Sequence, residues 1–151
     1  MTNDYLGPFE ATSQGMGMVF YSKLLHKNPK FLKEVHETYA SFMAELYNSY
    51  MDAGAEVFVE SGDLAYHTGP MMSPKKFEEL LLPAYKLITD AVHERGGKIA
   101  LHTDGQVTEL LDFVVNCGFD GLQSLEPTAG VDLALVKKKV GKKLCLMGNI
   151  D

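Results

Sequence analysis

The sequence predicts an α/β fold of about four parallel βα units, a partial (β/α)8 TIM barrel. Short β-prone runs alternate with amphipathic helical stretches. The joining loops are only a few residues long, and parallel strands need a crossover of the kind that a helix supplies. With 151 residues the chain is also shorter than the ~250 residues of a typical closed barrel.

Asn28 can cap a helix whose first position suits Pro29, and Gly54 can end it. Between them Phe31, Val35, Tyr39, Phe42, Leu46 and Tyr50 recur at helical steps and form a predicted apolar stripe. Residues 55–59 are β-prone and bounded by glycines, a first strand. Ser73 and Pro74 open a second helix carrying Phe77, Leu80, Leu81, Ala84, Leu87, Ile88 and Val92. A bend is expected at Pro83, which removes an internal hydrogen bond. Gly96 and Gly97 stop this helix before a strand at 98–101. A third helix with Val107, Leu110, Leu111, Val114 and Val115 leads past Gly118 to a strand through 119–122. A fourth, from Asp132 to Val140, passes Gly141 to a strand at 143–147. Gly7, Pro8, Gly15 and Gly17 suggest a loop that leads into a helix near 20–25. No linker or low-complexity segment interrupts the pattern, so one partial-barrel domain over 1–151 is expected.

Hydrophobic content of 46% supports a real core, and a net charge of −6 argues against nucleic-acid binding. The one dense basic run, Lys137 to Lys139 with Lys142 and Lys143, reads as a solvated helix face and its exit. Cys117 and Cys145 lack metal or redox spacing and lie in apolar surroundings, where cysteine behaves as a small core residue. No run of about 18 apolar residues and no signal pattern is present, so a cytoplasmic protein without membrane association is expected.

In parallel α/β folds chemistry gathers at the carboxyl ends of the strands. Those positions hold Glu60-Ser61-Gly62-Asp63, His102-Thr103-Asp104-Gly105, Gln123-Ser124-Leu125-Glu126 and Gly148-Asn149-Ile150-Asp151. The amino ends hold only turn glycines. His102 and Asp104 are two apart on an extended segment, so both side chains can face one way. Such a pair can share a metal, or the carboxylate can orient the imidazole as a base. Glu60 and Asp63 are candidates for oxygen ligands or acid–base groups. Glu126 and Asn149 are substrate-binding candidates at neighbouring strand exits. His26, His36 and His93 fall on helices with no evident partner, and His67 lies in a loop.

The run Gly69-Pro70-Met71-Met72-Ser73-Pro74, with Phe77 and Leu82-Pro83-Ala84-Tyr85, resembles the uroporphyrinogen decarboxylase superfamily. So do His102-Thr103-Asp104-Gly105, Gly118-Phe119-Asp120-Gly121, Glu126-Pro127 and the closing Gly148-Asn149-Ile150-Asp151. The resemblance implies the middle-to-late section of that family's barrel. Ser61 resembles a serine that contacts porphyrinogen in the decarboxylases. Their arginine-rich motif and early aspartate have no match, and Gln14 stands near their tyrosine. A second branch transfers methyl groups from corrinoid proteins to thiols, using zinc held by His-x-Cys and a later cysteine. His102 matches that histidine, whereas Asp104 stands at the cysteine position. Three readings follow from the resemblance. The first is a methyltransferase relative in which His102 and Asp104 bind zinc or another divalent metal, Glu60 and Asp63 act beside it, and the corrinoid arrives on a partner protein. The second is a cofactor-free porphyrinogen decarboxylase of tetrapyrrole biosynthesis. The third is a non-catalytic section that assembles as a homo-oligomer, two copies completing a barrel-like dimer. The first two act on small-molecule substrates.

Overall fold

The computed structural model describes residues 6–150; Asp151, which closes the last predicted strand exit, lies outside them. Helices α1 (Pro8–Met16), α2 (Met18–Lys27) and α3 (Pro29–Asp52) precede strand β1 (Val57–Ser61). A hairpin of β2 (Ala65–Tyr66) and β3 (Gly69–Pro70) leads to α4 (Pro74–Glu94) and β4 (Lys98–Thr103). A 3-10 turn (Thr108–Leu110), α5 (Leu111–Asn116), β5 (Gly121–Ser124), α6 (Leu133–Val140) and β6 (Cys145–Gly148) complete the chain. Strands β1, β4, β5 and β6 lie side by side in that order, all parallel, each joined to the next across a helix. This is the predicted partial barrel.

The predicted caps form. The Asn28 side chain accepts from the Phe31 N–H at 3.3 Å, and Ser73 accepts from the Lys76 N–H at 3.4 Å. Asp132 caps α6 by accepting from Ala134 and Leu135. Helix α4 buries Phe77, Leu80, Leu81, Ala84, Ile88 and Val92, and it runs through Pro83 within one helical element.

Helix α3 corrects its predicted stripe. Its buried face is Leu32, His36, Ala40, Met43, Ala44 and Tyr47, whereas Phe31 and Phe42 remain exposed. Helices α3 and α4 pack together, and the buried Ala40 and Ala44 suit a close approach. The segment read as a loop also differs. Pro8 starts α1, and the chain breaks at Gly17 (φ +80) before α2 begins. The strands run beyond their predicted carboxyl ends, so Glu60, Ser61, His102 and Thr103 are strand residues. Cys117 is buried as expected, but Cys145 is exposed.

Strand register sorts the side chains into two faces. Phe58 and Ile99, then Glu60, Leu101, Leu122 and Leu146, form rows toward the helices. Val59, Ala100, Gly121 and Cys145, then Ser61, His102, Gln123 and Met147, form rows on the concave face. Val57, at the start of that face, is 45% exposed. Leu6 pairs in parallel with Ser61 at the outer side of β1, and β6 has no second neighbour among the described residues. No helix among the described residues is long and apolar enough to cross a membrane.

Candidate metal centre

The concave-face row carries the polar cluster. His102 lies on β4 and Asp104 just past its end; their Nε2 and Oδ1 atoms are 3.7 Å apart. Asp63 reaches the same place from the exit of β1, where its Oδ1 accepts from the Asp104 N–H at 3.0 Å. One ligand atom from each of Asp63, His102 and Asp104 lies within 4.8 Å of the other two. Among the described residues, neither carboxylate has a Lys or Arg nitrogen within 4.0 Å. Three Lewis-basic groups thus converge with no lysine or arginine of the described residues beside them.

The donor chemistry suits a divalent ion. His102 Nδ1 meets Gln123 Oε1, an acceptor that suits the Nδ1–H tautomer, and in that tautomer Nε2, 3.7 Å from Asp104 Oδ1, offers its lone pair to a cation. Ligands about 2.1 Å from a tetrahedral zinc sit about 3.4 Å apart, close to the separation of the His102–Asp104 pair. The Ser124 hydroxyl donates to Asp104 Oδ1 and orients that carboxylate. Two carboxylates and one imidazole make an oxygen-rich set, harder than a His-x-Cys site.

The other predicted residues divide. Ser61 lies on the concave row beside His102, in register with it. Glu126 Oε2 accepts from the Gly105 N–H at 2.6 Å, fixing the loop that carries Asp104. The Asn149 amide donates to Leu125 O at 2.9 Å and its backbone N–H to Ser124 O at 2.9 Å. Both residues brace the site's loops. Glu60 does not join the cluster. It shares the helix-facing row with Leu101, is fully buried, and takes a hydrogen bond from Tyr47 of α3 on its Oε2. Burial pushes its carboxyl up to about 8 despite that bond. Its parity with Phe58 was visible in the sequence and conflicts with a position beside His102.

Sequence reasoning missed several partners. Glu10 of α1 accepts from the Asp63 N–H at 3.2 Å and so helps fix the β1 exit. His36 is buried between the Tyr21 hydroxyl at 3.2 Å and Leu80 O at 3.3 Å, and burial lowers it to about 4. His93 pairs with Asp120 at 2.7 Å at the amino ends of the strands. Lys98 reaches Asp120 at 2.8 Å, and the Ile99 N–H donates to it at 3.0 Å. Against the cost of partial burial, these bonds hold the Asp120 carboxyl below its ordinary range. Asp120 belongs to the frame, away from the cluster.

Fold and cluster together define a section of a parallel (β/α) barrel with a histidine–carboxylate cluster at its strand exits. The chain belongs to the uroporphyrinogen decarboxylase family, whose model, "Uroporphyrinogen decarboxylase (URO-D)", matches residues 5–151. It is 33% identical over 104 residues to a methylcobamide:CoM methyltransferase MtaA of Methanosarcina barkeri, covering 69% of this chain and 29% of that protein. A second MtaA, from the Fusaro strain of that species, is 27% identical over 145 residues, 96% of this chain and 41% of the relative. A solved methyltransferase from Methanosarcina mazei superposes with a TM-score of 0.72 at 25% identity, over 95% of this chain and 41% of that one. The chain therefore spans less than half the length of these relatives.

Proposed function

We propose that the chain is a metal-assisted, methyltransferase-like member of the family, with Asp63, His102 and Asp104 holding a divalent cation. The observation that carries this reading is the convergence of the His102 ring with two carboxylates that, among the described residues, have no lysine or arginine nitrogen within 4.0 Å. A cation held there, zinc or another, supplies Lewis acidity toward a small-molecule methyl acceptor. His102 binds through Nε2 while Gln123 holds the opposite side of the ring. Asp63 and Asp104 balance charge, and Ser61 offers a hydroxyl to the bound molecule. Similarity to the methylcobamide:CoM methyltransferases supports a corrinoid delivered by a partner protein. The acid-rich mouth does not suit the polyacidic substrate of a decarboxylase.

Metal analysis of protein purified without chelator, followed by zinc titration, tests this reading. Wild type binds about one ion per chain with the tetrahedral preference of zinc, and His102→Ala or Asp104→Ala abolishes uptake. A wild type that gains no metal refutes it.

A second reading is supported by the exposed Val57 and by β6, which has one neighbour among the described residues. Produced as this 151-residue chain, two copies pair β6 of each with the β1 edge of the other and cover the concave faces. Sedimentation equilibrium showing a stable monomer refutes this.

A further inference from the structure

Residue 123 carries no charge and no titratable group, yet it makes the closest side-chain contact to the imidazole at the centre of the cluster. Strands β4 and β5 are parallel neighbours in which His102 is the register partner of Gln123, both on the concave face. The Gln123 Oε1 meets His102 Nδ1, whereas Nε2 is the ring nitrogen 3.7 Å from Asp104 Oδ1. A carbonyl oxygen can only accept, so this contact selects one of the two neutral tautomers.

The backbone around Gln123 is built to hold that contact. In a regular strand Ser124, partner of Thr103, would turn to the helix face. Instead Ser124 (φ +96) and Leu125 (φ +54) take left-handed conformations unusual for such residues, and the Ser124 hydroxyl swings to Asp104 Oδ1. Consecutive residues of one strand thereby reach both His102 and Asp104. Gly148 and Asn149 from the β6 exit lock this turn. A side chain at Gly148 would collide with Ser124 O, and Asn149 bonds Ser124 O and Leu125 O. Backbone strain of this kind persists only where surrounding structure enforces it.

We propose that Gln123 is the positioning residue of the site, fixing His102 as the Nδ1–H tautomer so that its Nε2 lone pair is presented to the cation. This assignment rests on the reading of Asp63, His102 and Asp104 as ligands for its purpose, but the tautomer itself does not depend on a metal. The conservative replacement Gln123→Glu keeps an acceptor at this point, whereas Gln123→Leu removes it at similar volume.

The test uses the full 151-residue chain, metal-free and labelled with 15N, read by long-range 1H–15N correlation of the His102 ring at about pH 8, above the ordinary histidine range. Wild type and Gln123→Glu show the Nδ1–H pattern; Gln123→Leu loses it. An Nε2–H pattern in wild type, or an unchanged pattern in Gln123→Leu, overturns the proposal. Zinc affinity by competition with a chromophoric chelator is the second readout. Gln123→Leu weakens binding by about 10- to 100-fold, as loss of an outer-shell partner does, and Gln123→Glu restores it. Equal affinity in wild type and Gln123→Leu also overturns the proposal. A wild type that shows the Nδ1–H tautomer but takes up no zinc refutes the metal reading and still supports the role of Gln123 in orienting the ring.

Discussion

Replacing Glu60 with glutamine will reverse the pH dependence of folding stability. Glu60 has no exposed surface, and among the described residues its Oε1 finds no hydrogen-bond partner. The Tyr85 hydroxyl is buried nearby, and a side chain at Gly7 would come within 3.1 Å of both that hydroxyl and Glu60 Oε1. The carboxyl sits at about 8 in the folded chain against an ordinary 4.5. Its folded value is raised, so the folded state binds the proton more tightly and stability falls as pH rises from 4.5 to 8. The slope is about 1.4 kcal/mol per pH unit, a loss of about 3 kcal/mol by pH 7. His36 opposes it. Its folded value of about 4 lies below the ordinary 6.5, so stability rises across that window with the same slope. Where the windows overlap, from 4.5 to 6.5, the two effects cancel. Wild type will therefore be level there and lose stability from 6.5 to 8. Glu60→Gln removes the upper fall and unmasks the His36 rise below 6.5. The chain has no tryptophan, so urea unfolding followed by far-UV circular dichroism at steps across this range is the assay. Identical pH profiles for wild type and Glu60→Gln would refute the reasoning, because a Glu60 that titrates alike in the folded and unfolded chain leaves no proton linkage to remove.

Two further changes address the turn beside the cluster. Ser124→Ala removes the donor to Asp104 and will weaken zinc binding by about 10-fold while leaving thermal stability nearly unchanged, as calorimetry and chelator competition can show. Gly148→Ala places a side chain against Ser124 O at a φ of +123 and will cost about 2 kcal/mol or more, read as a lowered urea midpoint.

The alternation of helices and parallel strands was legible because each element announces itself locally, by a cap at Asn28 or Ser73 and by glycines at the strand entrances. Strand lengths were less legible. Ser61, His102 and Thr103 extend their strands, but hydroxyls and imidazole at a strand end look like loop residues when only apolar runs are followed. The orientation of α3 was hidden for a different reason. Phe31, Tyr39 and Phe42 outweigh Ala40, Ala44 and His36 in hydrophobicity, whereas close packing rewards the small residues. His102 with Asp104 was legible from two-residue spacing, and the structure brings Asp63 to them. Gln123 left no such trace, since its importance arises from register with His102 across two strands, and register is set by tertiary pairing. Glu60 shows the converse. Its position at a strand end invited a place at the mouth, but counting by twos from the buried Phe58 assigns it to the helix layer.

The brace from Gly148 and Asn149 gives the last strand a role beyond its own contacts. Asp63, His102 and Asp104 come from the exits of β1 and β4, yet the turn that aligns their partners is held from β6, a short strand with one neighbour among the described residues. Strands of that kind fray first and exchange their amides earliest. Opening of β6 alone would release Ser124 and Leu125 and let the donor atoms drift, with every ligand residue still folded in place. On the proposed metal reading, occupancy of the cluster becomes a gauge of how well β6 is held, and a bound ion would in turn slow hydrogen exchange at 145–148, two strands away from β4.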